Sequence, residues 1–146
     1  MKYSNHIEID LPIDRVVEQF DNFDNMFKWI DGLEEAEHIS GEKGAPGAQM
    51  RMKVVSGNRV TEMIETVIEL DLPRIFSAKY ETDGVINIQH NSFEPLSDNR
   101  TLWKSESEFI FTTVLMKLVG FFMRGAFPKQ SQKNMQDFKT FVEGEG

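Results

Sequence analysis

Three side chains in this sequence could combine in acid–base chemistry: Glu62, His90 and Tyr80. In residues 59–69 the more apolar register is Val60, Ile64 and Ile68, which turns Glu62 to the inside. In residues 85–93 the register Ile86 and Ile88 carries His90 inward as well. A carboxylate in an apolar pocket has a raised pKa, and an imidazole close to it can partner it as acid or base. Tyr80 could then orient a carbonyl or hydroxyl of a bound molecule. Glu62 and His90 are therefore the candidate catalytic pair, provided both registers hold. The alternative is an exposed His90 and a Glu62 ion-paired at the sheet surface to Arg51 or Lys53.

Other chemistries find little support. The chain has no cysteine, hence no disulfide scaffold, thiolate metal site or thiol nucleophile. His6, His38 and His90 are scattered without ligand spacing, so no metal and no cofactor is expected. There is no Gly-x-Ser-x-Gly elbow, phosphate-binding loop or dinucleotide glycine pattern. Ser105 and Ser107 read as small polar lining rather than nucleophiles. Lys117 and Arg124, seven apart, could meet an anionic head group at a cavity mouth, but a solvated helix stripe explains them more simply. A net charge of -8 argues against non-specific nucleic-acid binding. With 40% apolar and 27% charged residues in 146, the composition is that of one soluble globular domain over 1–146. The start of the chain lacks a secretory h-region, which makes the cytoplasm the default location. The run Val114 to Met123 is half the length of a membrane span and reads as core or cavity lining.

Elements must position these groups. Asn5, Ile7, Ile9 and Leu11 alternate with Ser4, His6, Glu8 and Asp10, the period of a half-buried strand. Pro12 ends it and opens a helix through Val16, Val17 and Phe20; a second short helix carries Phe23, Met26, Phe27 and Ile30. From Leu33 to Phe111 the pattern is strands and turns, with turn signals at residues 41–47, Ser56-Gly57-Asn58, Asp71-Leu72-Pro73, Asp83-Gly84 and residues 95–99. Consecutive hairpins imply an antiparallel meander. The acidic stretch Asp31 to Glu42 suits a sheet edge protected against strand pairing. The last thirty residues are helical, and Gly125 and Pro128 should kink that helix or split it.

This order resembles the START-like or helix-grip superfamily (SRPBCC), and within it the polyketide cyclase/dehydrase and lipid-transport-like proteins. The matching residues are Leu11-Pro12-Ile13-Asp14-Arg15-Val16, Phe27-Lys28-Trp29-Ile30, Gly44-Ala45-Pro46-Gly47 and Thr61-Glu62-Met63-Ile64-Glu65. The break at Asp71-Leu72-Pro73 and Phe93-Glu94-Pro95-Leu96 with Asn99-Arg100-Thr101 complete the set. Ile30-Asp31-Gly32 stands where the family commonly has Pro, and Asn99-Arg100 where it usually has Gly. The resemblance implies an α+β helix-grip fold. In it, a curved antiparallel sheet of about six to seven strands wraps a long C-terminal helix, with two short helices after the first strand. It also implies a cavity between sheet and helix that takes sterols, lipids, polyketides, quinones or aromatic molecules.

Alternation then gives the expected lining. The strands offer Met52, Phe76, Tyr80, Trp103 and Ser105, joined by Glu62 and His90 if they turn inward; the C-terminal helix offers Leu118 and Phe122. The leading functional expectation is non-enzymatic binding or carriage of a small, largely apolar ligand by a monomer or homodimer. A cyclase, dehydratase or hydrolase acting on an aromatic or polyketide-like substrate is the first alternative. A co-chaperone-like interaction module is the second, and it predicts an exposed apolar patch at Val114–Met123 or Trp29.

Overall fold

Hairpin turns dictate most of the architecture. The computed structural model describes residues 1–145 and leaves Gly146 outside the described residues. The first strand, β1 (Lys2–Ile9), leads into two short helices, α1 (Ile13–Phe20) and α2 (Phe23–Trp29). Six strands follow: β2 (Leu33–Ser40), β3 (Gln49–Ser56), β4 (Arg59–Asp71), β5 (Ile75–Thr82), β6 (Val85–Ser97) and β7 (Arg100–Phe111). They meander antiparallel, and β1 closes the far side by pairing with β7, giving the order β1-β7-β6-β5-β4-β3-β2. The acidic β2 is an edge strand, as its charge suggested.

The final helix is split, as Gly125 and Pro128 required. A nine-residue α3 (Val114–Phe122) is capped by the Thr113 side chain, and a twenty-residue α4 (Ala126–Glu145) follows. Pro128 falls in the first turn of α4, where its missing N–H has no intrahelical partner to lose. The inner sheet face grips α4 over β1. Asn5 Nδ2 donates to Gln132 Oε1 at 2.9 Å, and the Tyr3 and Ser131 hydroxyls meet at 2.8 Å.

The core lies between α4, α1 and the β1–β7–β6 end of the sheet: Ile7, Ile9, Val16, Phe93, Trp103, Met135, Phe138 and Val142 are all buried. Phe20, Trp29, Trp103 and Phe138 meet there largely edge to face, the arrangement that ring quadrupoles favour.

One expectation fails. Most of residues 114–123 is not core, and the two expected lining residues stand in water: Leu118 is 53% exposed and Phe122 79%. The break after Phe122 leaves α3 against β7 and the β5–β6 turn, where Gly120 faces the Phe111 ring and Met116 sits over Gly84. Gly84 needs its positive φ of 77° for the two-residue turn. Only that side of α3 touches the protein, so Leu118 and Phe122 face water instead of the site.

Candidate functional site

The inner face is fixed by register. Val54 opposes Thr61, Met52 opposes Met63 and Met50 opposes Glu65. On the next strands Glu65 opposes Tyr80, Tyr80 opposes Asn87, and Asn87 opposes Phe109. One row of inward side chains therefore runs across the sheet from His38, the partner of Met50, through Glu65, Tyr80 and Asn87. Neighbouring strands lie about 4.8 Å apart, so an imidazole, a carboxyl, a phenol and an amide share a span of roughly 20 Å. The next row adds Gln89 and Ser107, and the one after it Asn91 and Ser105.

Glu65 and Tyr80 form the chemical centre of this wall. Both are half-buried, and they stand opposite each other on β4 and β5, with the Tyr80 hydroxyl close enough to act on the Glu65 carboxyl. Burial pushes the Glu65 carboxyl above its ordinary value, opposed by the hydrogen bond that the Tyr80 hydroxyl donates. Burial likewise holds the Tyr80 phenol well above its ordinary value, and the adjacent Glu65 charge and hydrogen bond push it the same way. The phenol therefore stays protonated and remains a donor.

The surrounding polar groups are partly engaged. Asn87 Nδ2 donates to the Glu108 carbonyl at 3.1 Å, and Gln89 Nε2 donates to Asn87 Oδ1 at 2.8 Å. Trp103 Nε1 donates to the buried Asn91 Oδ1 at 3.1 Å. Among the described residues the buried Asn5 Oδ1 and Trp29 Nε1 have no partner. No group of three or more His, Asp or Glu there is arranged to hold a metal.

Met52, Phe76, Tyr80, Trp103 and Ser105 stand on the inner face, where alternation put them. Glu62 and His90 do not. Glu62 opposes Lys53 on the outer face and is exposed, while Arg51 and Lys53 pair with Glu37 and Glu35. His90 is also exposed on the outer face, with its Nδ1 2.7 Å from the Ser77 hydroxyl. Apolarity misled both assignments, because here the more polar register is the inner one. The inward carboxyl is Glu65, and the imidazole in its row is His38. The overlooked signal lay in the turns. Two-residue turns at Gly57-Asn58 and Asp83-Gly84 put Thr61 opposite Val54 and Asn87 opposite Tyr80.

Comparison with known proteins agrees with this architecture. No curated protein matches the sequence. Among solved structures, an aromatase/cyclase from Streptomyces sp. R1128 superposes with a TM-score of 0.80 at 11% identity, covering 98% of this chain and 93% of its own. A START superfamily protein from Mycobacterium smegmatis gives 0.76 at 15% identity, covering 99% of both chains. Norcoclaurine synthase from Thalictrum flavum gives 0.71 at 16% identity, covering 100% of this chain and 88% of its own. These likenesses show the helix-grip START fold. No helix of the described residues is long and apolar enough to cross a membrane. The sequence profile of one family matches residues 1–143, and the chain belongs to that family, described as polyketide cyclase / dehydrase and lipid transport.

Proposed function

We propose that this chain, as one START-like domain, binds a small ring-bearing molecule against the inner wall, with a hydroxyl or carbonyl of the ligand engaging Glu65 and Tyr80. The observation that carries this reading is the Glu65–Tyr80 pair itself. A carboxyl held above its ordinary pKa on an inward face costs stability, and nothing in the sheet's own architecture requires one there. Apolar burial against the half-buried Met50, Met63 and Phe76 supplies affinity, at roughly 25 cal/mol per Å² before ordering costs. The inner polar groups set orientation: Gln89 Oε1 and the Ser105 and Ser107 hydroxyls make no hydrogen bond among the described residues. The solved norcoclaurine synthase holds dopamine and hydroxybenzaldehyde, two phenolic aromatics, and the Streptomyces relative is an aromatase/cyclase. In this reading α2 and the loop 41–48 border the entrance, and the protein works in the cytoplasm on a small molecule, not on nucleic acid.

A second reading has a specific observation behind it. The raised pKa of Glu65 moves it toward the range in which a carboxyl exchanges protons efficiently near neutrality, with Tyr80 as a fixed donor beside it. That arrangement suits cyclisation or dehydration of an aromatic precursor.

Native mass spectrometry of freshly purified protein, before and after denaturation, tests for a retained ligand. Direct binding is measured with 2-acetyl-1-naphthol, a two-ring phenol bearing a carbonyl, by quenching of the fluorescence of Trp29 and Trp103. Tyr80→Phe and Glu65→Gln should each weaken that probe about tenfold, the loss of one hydrogen bond to a desolvated group. Unchanged affinity in both variants would remove the pair from the binding site. Turnover lost in Glu65→Gln while ligand is still bound would favour the enzymatic reading.

A further inference from the structure

We propose that α3 docks this protein onto anionic phospholipid surfaces. Val114, Leu115, Leu118, Phe121 and Phe122 are 75%, 68%, 53%, 59% and 79% exposed. At 100° per residue they form a continuous arc over about a third of the helix, while Gly120 and Met116 face the protein. A soluble domain rarely leaves such a patch uncovered without a use for it. Its charge surroundings name the partner. Residues 109–136 contain none of the chain's 24 acidic residues but four basic ones: Lys117, Arg124, Lys129 and Lys133. Among the described residues Lys117, Arg124 and Lys129 enter no ion pair, and the Arg124 guanidinium lies 4.9 Å from the centroid of the Phe121 ring. Beside this arc Met1, Phe111, Lys117, Gly120, Phe121 and Arg124 line a cleft of about 260 Å³. Apolar side chains flanked by cations match an interfacial helix, whose apolar face enters the acyl boundary while basic groups meet phosphates.

Other occupants fit less well. Nine residues extend about 13.5 Å, too short to span a bilayer core of roughly 30 Å. A second copy meeting this face symmetrically would gather the like-charged Lys117 and Arg124 of both copies into one interface. A protein partner would need acidic groups placed to meet Lys117 and Arg124 beside the arc, and the test below separates it from a lipid surface. The inference stands on α3 alone and holds whatever the inner wall binds.

The test is flotation with vesicles of phosphatidylcholine alone and with about 30 mol% phosphatidylglycerol, at low salt and at about 0.5 M salt. The expected result is binding to the phosphatidylglycerol vesicles that weakens with salt. Lys117→Gln and Arg124→Gln should each lower partitioning about fivefold. Leu118→Asp and Phe122→Asp should lower it at least about tenfold, since each places a charge in the buried arc. All four residues are exposed, so the variants should melt like wild type, and Val60→Asp on β4 should float like wild type. Absence of flotation, flotation indifferent to the α3 variants, or equal binding to both vesicles would overturn the proposal. So would a dimer or protein complex that Phe122→Asp dissociates while vesicles go unbound.

Discussion

Phe138 is where the C-terminal helix is held, and its removal gives a measurable test of the core. The ring is fully buried, with centroids 5.1 Å from Trp29, 5.4 Å from Trp103 and 5.7 Å from Phe20, each at a steep interplanar angle. Phe138→Ala removes the ring and leaves a hole bounded by rigid aromatics and strand β7, which cannot collapse far into it. That places the cost near the upper part of the usual large-to-small range, about 4–5 kcal/mol. Phe138→Leu keeps most of the volume but forfeits three ring-edge contacts at about 0.5–1 kcal/mol each, for a total near 2 kcal/mol. For a chain of this size each kcal/mol shifts the melting temperature by about 2–4 °C, so the Ala variant should melt roughly 8–20 °C lower. Urea unfolding followed by far-ultraviolet dichroism and tryptophan fluorescence measures both variants. An Ala variant less than about 1.5 kcal/mol below wild type would refute the reasoning, because α4 would then not be seated by this ring.

Three further outcomes are expected. Burial raises the Glu65 carboxyl, so the unfolded chain releases that proton at lower pH than the folded one, and wild-type stability falls as pH rises from the unfolded value through the folded one. Glu65→Gln should therefore match wild type below about pH 4 and exceed it at neutrality, and urea midpoints that track each other from acid to neutral pH would contradict this. Asn91→Leu leaves the buried Trp103 N–H without its acceptor and should cost about 1–3 kcal/mol in the same unfolding assay. Gly32 has φ of 80°, and a Cβ there would strike the Val55 carbonyl oxygen, so Gly32→Ala should destabilise by about 2 kcal/mol or more by thermal melting.

Much of the fold was legible because it is written in local chemistry. Pro12 before Val16 and Phe20, the alternation through Trp103, Ser105 and Ser107, and the glycines of the hairpins each specify one element. The inner face of β4 and β6 was misread because hydrophobicity was allowed to choose it. Val60 and Ile68 are 57% and 44% exposed, while Asn87 and Asn91 are buried. A wall that holds polar ligand groups reverses the usual preference, and only the turn arithmetic through Gly57-Asn58 and Asp83-Gly84 reveals it. A bulge between Val67 and Glu69 restores Leu70 to the inner face and leaves Ile68 outside. The fate of α3 was not legible either. Its composition alone is that of a buried helix, and its exposure depends on where the break before Ala126 directs it.

The most direct test of the central claim is the carboxyl ¹³C resonance of Glu65, followed through a pH titration with and without 2-acetyl-1-naphthol. The account predicts a midpoint above the ordinary carboxylate range in the free protein and a displaced resonance when the probe binds. An ordinary midpoint, together with a resonance indifferent to a probe bound elsewhere, would contradict it.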